Sequence, residues 1–200
     1  MKTAGTIQKA EVRAFFDRYA AAWDENIVRN EDVISAILDN AGVRQGSEVL
    51  DVACGTGILI GDYLKREAAS VTAIDLSPEM IEVAASKFPQ KNVTFLCGDA
   101  EEAEPGKEFD AIVIYNALPH FPNPAKLITH LSGLLKKGGI LTVAHGSSRE
   151  KINACHTGAA GHVSAGLMDA QELAAIFAES LEVTTVISDE KMYQVAGKRQ

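Results

Sequence analysis

The sequence predicts an α/β domain: a doubly wound, mostly parallel, seven-stranded sheet with helices on both faces. Three observations carry that reading. Short apolar runs alternate with helix-period segments from about residue 48 to residue 145, as in a parallel sheet covered on both sides. The run Val49, Leu50, Asp51, Val52 leads into Gly55 and Gly57, which read as a buried strand, a tight turn and the start of a helix. The chain has 200 residues, 46% of them hydrophobic, enough for one sizeable core.

Ahead of the first strand, residues 7–41 read as two helices. Val12, Phe15, Phe16 and Tyr19 share one face, and Val33, Ile34, Ile37 and Leu38 share another, at i, i+3, i+4 spacing. Gly42 ends the second helix. Then come strand 48–53, helix 57–67, strand 71–75, helix 78–87, strands 92–97 and 109–115, helix 124–136 and strand 139–145. Asp169 with Glu172 makes a capping box that starts a helix at about 170–179. Strands at 182–188 and 190–197 are joined by a short link that suits an antiparallel hairpin. One domain is expected over 1–200: a helical cap (1–42), a cofactor-binding core (43–145), a substrate-side loop (146–168), and a C-terminal helix and hairpin (169–200).

Composition narrows the partners. A net charge of −8 speaks against nucleic acid, whose phosphates attract basic surfaces. Charged residues at 23% and few prolines argue against disorder. Residues 1–11 contain no apolar signal core, and no run of about eighteen apolar residues occurs, so neither secretion nor membrane spanning is expected. Three unevenly spaced cysteines suit reduced thiols in the cytoplasm. There is no internal repeat.

The glycine turn sets the chemistry. Asp75 closes the next strand, about twenty residues past the glycines, where a carboxylate suits the two hydroxyls of a ribose. An adenosine-type cofactor follows. A dinucleotide turn would carry a third glycine at position 60, which is Ile60 here, with Gly61 one residue late. Asp51, just before the turn, would repel a pyrophosphate and attract an ammonium group. S-adenosyl-L-methionine, with its α-ammonium and sulfonium, fits that charge pattern.

At these residues the chain resembles the class I S-adenosylmethionine-dependent methyltransferases, which have a Rossmann-like fold. Leu50-Asp51-Val52-Ala53-Cys54-Gly55-Thr56-Gly57 is similar to their first motif, and Ala73-Ile74-Asp75-Leu76-Ser77-Pro78-Glu79-Met80 to their second. Cys97-Gly98-Asp99-Ala100-Glu101 resembles the acidic loop beside the adenine. Ala117-Leu118-Pro119-His120-Phe121-Pro122 resembles the loop after the fourth strand, and Leu134-Leu135-Lys136-Lys137-Gly138-Gly139 the turn before the fifth. The resemblance implies that Asp51, Ala53, Gly55, Thr56 and Gly57 hold the methionine half and Asp75 the ribose. It implies Leu76 and Met80 on the adenine faces, Asp99 and the Ala100 N–H on the adenine edge, and Asn116 facing the reacting methyl. It also implies one antiparallel strand near the sheet's edge.

Each of these positions has a plainer role available. Asp75 could cap the following helix, Met80 could be core, and Asp99 could belong to a solvated acidic loop with Glu101, Glu102 and Glu104. In methyltransferases acting on adenine or amide nitrogens, a [DNS]-P-P-[YFW] motif stands where this chain has Asn116-Ala117-Leu118. That departure favours a small-molecule acceptor. The segment 15–26 resembles the lead-in helix of quinone-biosynthesis-type methyltransferases, with Tyr19 and Trp23 placed to close over the cofactor or simply to pack the helix on the sheet.

The histidines supply the candidate catalytic groups. His120 and His145 follow the fourth and fifth strands, while His156 and His162 lie in the 146–168 loop. His120, His145 and His156, with His162 as a further candidate, are expected to converge over the methyl group and hold or deprotonate the acceptor, with Arg149 and Asn153 in a short helical turn orienting an anionic or polar substrate. A metal ion could sit there, but no spacing matches a zinc motif and none is expected. The reading is therefore a cytoplasmic methyltransferase acting on a small phenol, thiol, amine or carbon acceptor, as a monomer or homodimer. The alternatives are a non-catalytic S-adenosylmethionine-binding regulator and a nucleotide-dependent oxidoreductase, the latter opposed by Asp51 and the missing third glycine.

Overall fold

The structure, a computed structural model, describes residues 7–155 and 161–200. Its strands are β1 (Glu48–Val52), β2 (Ser70–Asp75), β3 (Val93–Cys97), β4 (Phe109–Tyr115), β5 (Leu135–His145), β6 (Glu182–Ser188) and β7 (Tyr193–Lys198). The α-helices are α1 (Lys9–Tyr19), α2 (Glu31–Asn40), α3 (Ile60–Lys65), α4 (Pro78–Lys87), α5 (Pro124–Gly133), α6 (Arg149–Cys155) and α7 (Ala170–Ala178), with 3-10 turns at Ala20–Asn26 and Leu118–His120. All seven strands join one sheet in the order β3-β2-β1-β4-β5-β7-β6. β1 to β5 are parallel, and β7 runs antiparallel to both β5 and β6. The predicted sheet and its hairpin are therefore present. No helix among the described residues is long and apolar enough to cross a membrane.

Alternation along the strands builds the two cores. Leu50, Val52, Ile112 and Ile114 face Leu127, Leu131 and Phe177 on one side of the sheet. Val49, Val71 and Val113 face Ile34, Ile37, Leu38 and Tyr63 on the other. Strand order reverses between β1 and β4, so the crevice that open α/β sheets use for ligands lies at their carboxyl ends. Helix starts follow local chemistry. The Asn30 side chain accepts from Val33 N, Ser77 accepts from Met80 N with Pro78 behind it, and the Asp169/Glu172 capping box forms as expected.

Several elements differ from the sequence reading, and three of the differences have a clear local cause. α3 begins at Ile60 instead of 57, because Gly57 has φ +85° and cannot join a right-handed helix. β5 begins at Leu135 instead of 139. Phe109 N donates to Leu134 O at 2.9 Å, and the Lys136 ammonium sits between Glu48 and Asp110, which extends pairing past the glycines. The 146–168 stretch, read as a loop with room for a short helical turn at 149–153, contains α6 there, and Arg149 and Asn153 serve to fasten it. The Arg149 guanidinium donates to the carbonyls of Leu167 and Met168, and Asn153 makes a two-way bond with Leu167. These two side chains hold backbone, which corrects the substrate-orienting role expected of them.

Candidate functional site

A cavity of about 560 Å³ opens at the carboxyl ends of β1, β2 and β4. That volume lies within the range of small-molecule sites. Its floor includes Ala53, Gly55, Thr56, Asp75 and Asn116, and its roof is Phe15, Phe16, Tyr19 and Trp23 from α1 and the turn after it. Leu76, Met80, Asp99, Ala100 and His120 complete the expected residues found on its wall.

The turn after β1 is locked to the end of β2. Asp75 receives Gly55 N on Oδ2 at 2.8 Å and Ser77 N on Oδ1 at 2.9 Å. Burial pushes the Asp75 carboxyl up, against those backbone donors. The helix-capping task falls to Ser77, which leaves Asp75 on the cavity wall. Gly55 (φ +54°) has open space where a Cβ would stand, while a Cβ on Gly57 would come within 2.9 Å of Ile60 and Phe88. Gly55 thus keeps the floor open, and Gly57 packs the turn against α3 and the ring behind it.

Two residues expected on the cavity wall lie behind it: Gly57 and Asp51 are absent from the lining. Near the end of β1, the Asp51 side chain turns towards α3 and accepts from the Tyr63 hydroxyl at 3.2 Å. Its Oδ2 is buried with no hydrogen-bond partner among the described residues. Burial raises its pKa to about 7, opposed by Tyr63 and reinforced by the charge of Asp75.

The other end of the floor holds an ion network that the sequence reading missed. Lys9, on α1, bridges Asp99 and Glu101, and Asp99 also accepts from Glu101 N at 3.0 Å. Burial would lower the Lys9 ammonium, but the hydrogen bonds to Asp99 and Glu101 outweigh it and raise it. Lys9 and Asp99 are ninety residues apart, and no local pattern links them. The cap is tied down at two further points along its length. Ser77 donates to Asp17, and Asp24 takes the Thr56 hydroxyl and the Lys87 ammonium. Just beyond, Arg29 reaches the Ile58 carbonyl and Asp62. Tyr19 and Trp23, at 42% and 36% exposure, still line the cavity. Phe16 packs edge-on against Trp23 at 5.3 Å and against His120 at 5.0 Å.

The described histidines do not converge. His120 lines the cavity, with Nδ1 2.8 Å from Val163 O. His145 is 1% exposed at the end of β5, edge-on to Tyr193 at 5.9 Å, and is not part of the lining. It stands opposite Tyr193 of β7 in the antiparallel pairing, and that ring packs against it. His162 is exposed, edge-on to Phe15 at 5.9 Å, and is not part of the lining. His156 lies outside the described residues. Among the described residues, no group of three or more His, Cys, Asp or Glu side chains could hold a metal ion. The loop after β5 returns to the cap: Val163 is buried against Ile7 and Val12, and Ala165 N donates to Pro119 O at 2.8 Å.

Comparison with known proteins agrees with this geometry. Residues 49–139 match a family described as a methyltransferase domain. The chain is 33% identical over 138 residues to the malonyl-[acyl-carrier protein] O-methyltransferase of Acetivibrio thermocellus, covering 68% of this chain and 49% of that one. It is 40% identical over 114 residues to the ubiquinone biosynthesis O-methyltransferase of Xanthomonas oryzae, covering 55% and 46%. The chain thus spans about half the length of these curated relatives. In fold it is similar to the N-methyltransferase NodS of Bradyrhizobium japonicum solved with S-adenosyl-L-homocysteine. The TM-score is 0.71 at 17% identity, over 94% of this chain and 97% of that one.

Proposed function

We propose that the chain is an S-adenosylmethionine-dependent methyltransferase and that it methylates a small-molecule acceptor. The observation that carries the reading is the Asp75–Gly55 lock on the floor of a cavity with one charged end and an aromatic roof.

When bound, the cofactor supplies a methyl group made electrophilic by the sulfonium. Asp75 accepts from the ribose hydroxyls, while Leu76 and Met80 pack the adenine, and Asp99 and the Ala100 N–H meet its edge. Thr56 would offer its turn N–H to the carboxylate, with the Gly55 N–H held by Asp75. The orphaned Asp51 Oδ2 beneath the turn suits a cationic group above it and acts through its charge. Tyr19 and Trp23 close the roof, and Asn116 stands at the transfer end. The protein's main task is alignment of donor and acceptor at near-contact distance.

A neutral His120 is the base in this scheme. A carbonyl only accepts, so the ring keeps its proton on Nδ1 toward Val163 O, and Nε2 carries the lone pair. Among the described histidines, only His120 is on the cavity wall, so the role is assigned to it and not to His145. Two relatives are named O-methyltransferases, which favours oxygen acceptors. The free cysteines Cys54, Cys97 and Cys155 go with a cytoplasmic location. Release of S-adenosylhomocysteine from S-adenosylmethionine, measured over a panel of phenols, thiols and amines, tests the reading. Turnover of at least one class is expected. Tight cofactor binding with no turnover across the panel would favour a regulator.

A further inference from the structure

Beyond the expected residues, one side chain at the transfer end is held in a way the reaction scheme does not yet use. Tyr115 ends β4, is 7% exposed and lines the cavity beside Asn116. Asn116 takes a left-handed backbone (φ +55°), a conformation that costs a non-glycine residue energy and that asparagine tolerates better than most. Its Oδ1 accepts from Gly146 N at 3.0 Å, which stitches the loop after β4 to the loop after β5. With that oxygen turned to the backbone, the amide's N–H groups remain for its neighbours. Burial pushes the Tyr115 phenol up, and the neighbouring Asn116 side chain opposes it. Gly146 supplies the room. A Cβ there would overlap the Tyr115 hydroxyl and stand 3.3 Å from the ring carbon that bears it.

We infer that Tyr115, seated against Gly146 beside Asn116, is a positioning residue whose O–H donates to the oxygen of a phenolic acceptor. The inference rests on the methyl-transfer reading above and narrows its acceptor class. The Tyr115 O–H and the Asn116 amide N–H groups can donate at this point, which suits an oxygen nucleophile. The aromatic roof of Phe15, Phe16 and Trp23 suits a flat apolar ring carrying that oxygen. An acceptor oxygen has lone pairs for both tasks: one receives the Tyr115 O–H, and the other forms the bond to the methyl carbon. The carbon–sulfur bond breaks as that bond forms, its electron pair stays on sulfur, and the hydroxyl proton passes to His120 Nε2.

The test compares wild type, Tyr115→Phe, Gly146→Ala and the double variant. S-adenosylhomocysteine affinity is measured by calorimetry, and methylation is assayed with phenol, catechol and 2-naphthol. The expected result is unchanged S-adenosylhomocysteine affinity and a KM for the phenol raised about tenfold in Tyr115→Phe, the weight of one hydrogen bond, with kcat nearly unchanged. Gly146→Ala should show the same split, and the double variant should be no worse than Tyr115→Phe, because both lesions remove one contact. Should Gly146→Ala fail to fold, Tyr115→Phe decides alone. A wild-type KM in Tyr115→Phe overturns the assignment, as does a wild type that binds S-adenosylhomocysteine but methylates none of the three phenols. A wild type that does not bind S-adenosylhomocysteine overturns the methyl-transfer reading, and this inference with it.

Discussion

The Asp75 carboxylate receives the Gly55 N–H at 2.8 Å, so the end of β2 holds the glycine turn that follows β1. One side chain thereby shapes the floor of the cavity and faces the place where a ribose would lie. Replacing Asp75 by Ala should weaken S-adenosylhomocysteine by ~1–3 kcal/mol, through lost hydrogen bonds to a charged acceptor. Calorimetry on the folded variant checks this. An unchanged dissociation constant would move the ribose contact elsewhere.

Asp51 should make stability depend on pH. Its folded pKa is raised from 3.8 to about 7, so between those values the folded chain keeps a proton that the unfolded chain has lost. Stability gained below that window therefore falls as pH rises through it. Asp51→Asn should be more stable than wild type at pH 7, by ~1–3 kcal/mol, and its stability should vary less between pH 4 and 7. Urea melts of both proteins across that range give the answer, and parallel curves would refute the assignment.

Gly57 should tolerate no side chain. Its φ of +85° is combined with Ile60 and Phe88 atoms only 2.9 Å from where a Cβ would stand, so a side chain meets both strain and overpacking. Gly57→Ala should cost ~2–4 kcal/mol. Thermal unfolding reads this directly, and a melting temperature equal to wild type would mean that the turn can re-form around a methyl group.

The cap should respond to the cofactor. Lys9, Asp17 and Asp24 each tie it to a residue on the cavity wall or to its immediate neighbour: Asp99, Ser77 and Thr56. Amide exchange over residues 9–25 is expected to slow when S-adenosylhomocysteine is added, because the ligand adds contacts to Phe15, Phe16, Tyr19 and Trp23 from below. Exchange unaltered by ligand would make this segment scaffold.

Most of the sheet was legible in the sequence because period-2 and period-3.6 patterns record which face is buried, and capping residues such as Asn30, Ser77 and Asp169 mark helix starts. The floor was legible because the glycine turn and Asp75 are local motifs with a chemical reason for their spacing. What escaped depends on contacts between distant segments. Lys9 meets Asp99 only through the fold, and Asp51 turns to Tyr63 because of which face of β1 it occupies. His145 looked like a site residue from its place at a strand end, but β7, inserted between β5 and β6, encloses it. The start of β5 was misread because Gly138 and Gly139 suggest a turn, whereas the pairing of Leu135 with Phe109 carries the strand through them.

The central claim is that the Asp75–Gly55 floor serves an S-adenosyl ligand and no dinucleotide. Isothermal titration of the wild-type protein with S-adenosylhomocysteine and, separately, with NAD tests it most directly. The account predicts one-site binding of S-adenosylhomocysteine at least about tenfold tighter than any binding of NAD, a difference of ~1.4 kcal/mol or more. NAD binding as tight as S-adenosylhomocysteine, or tighter, would contradict it.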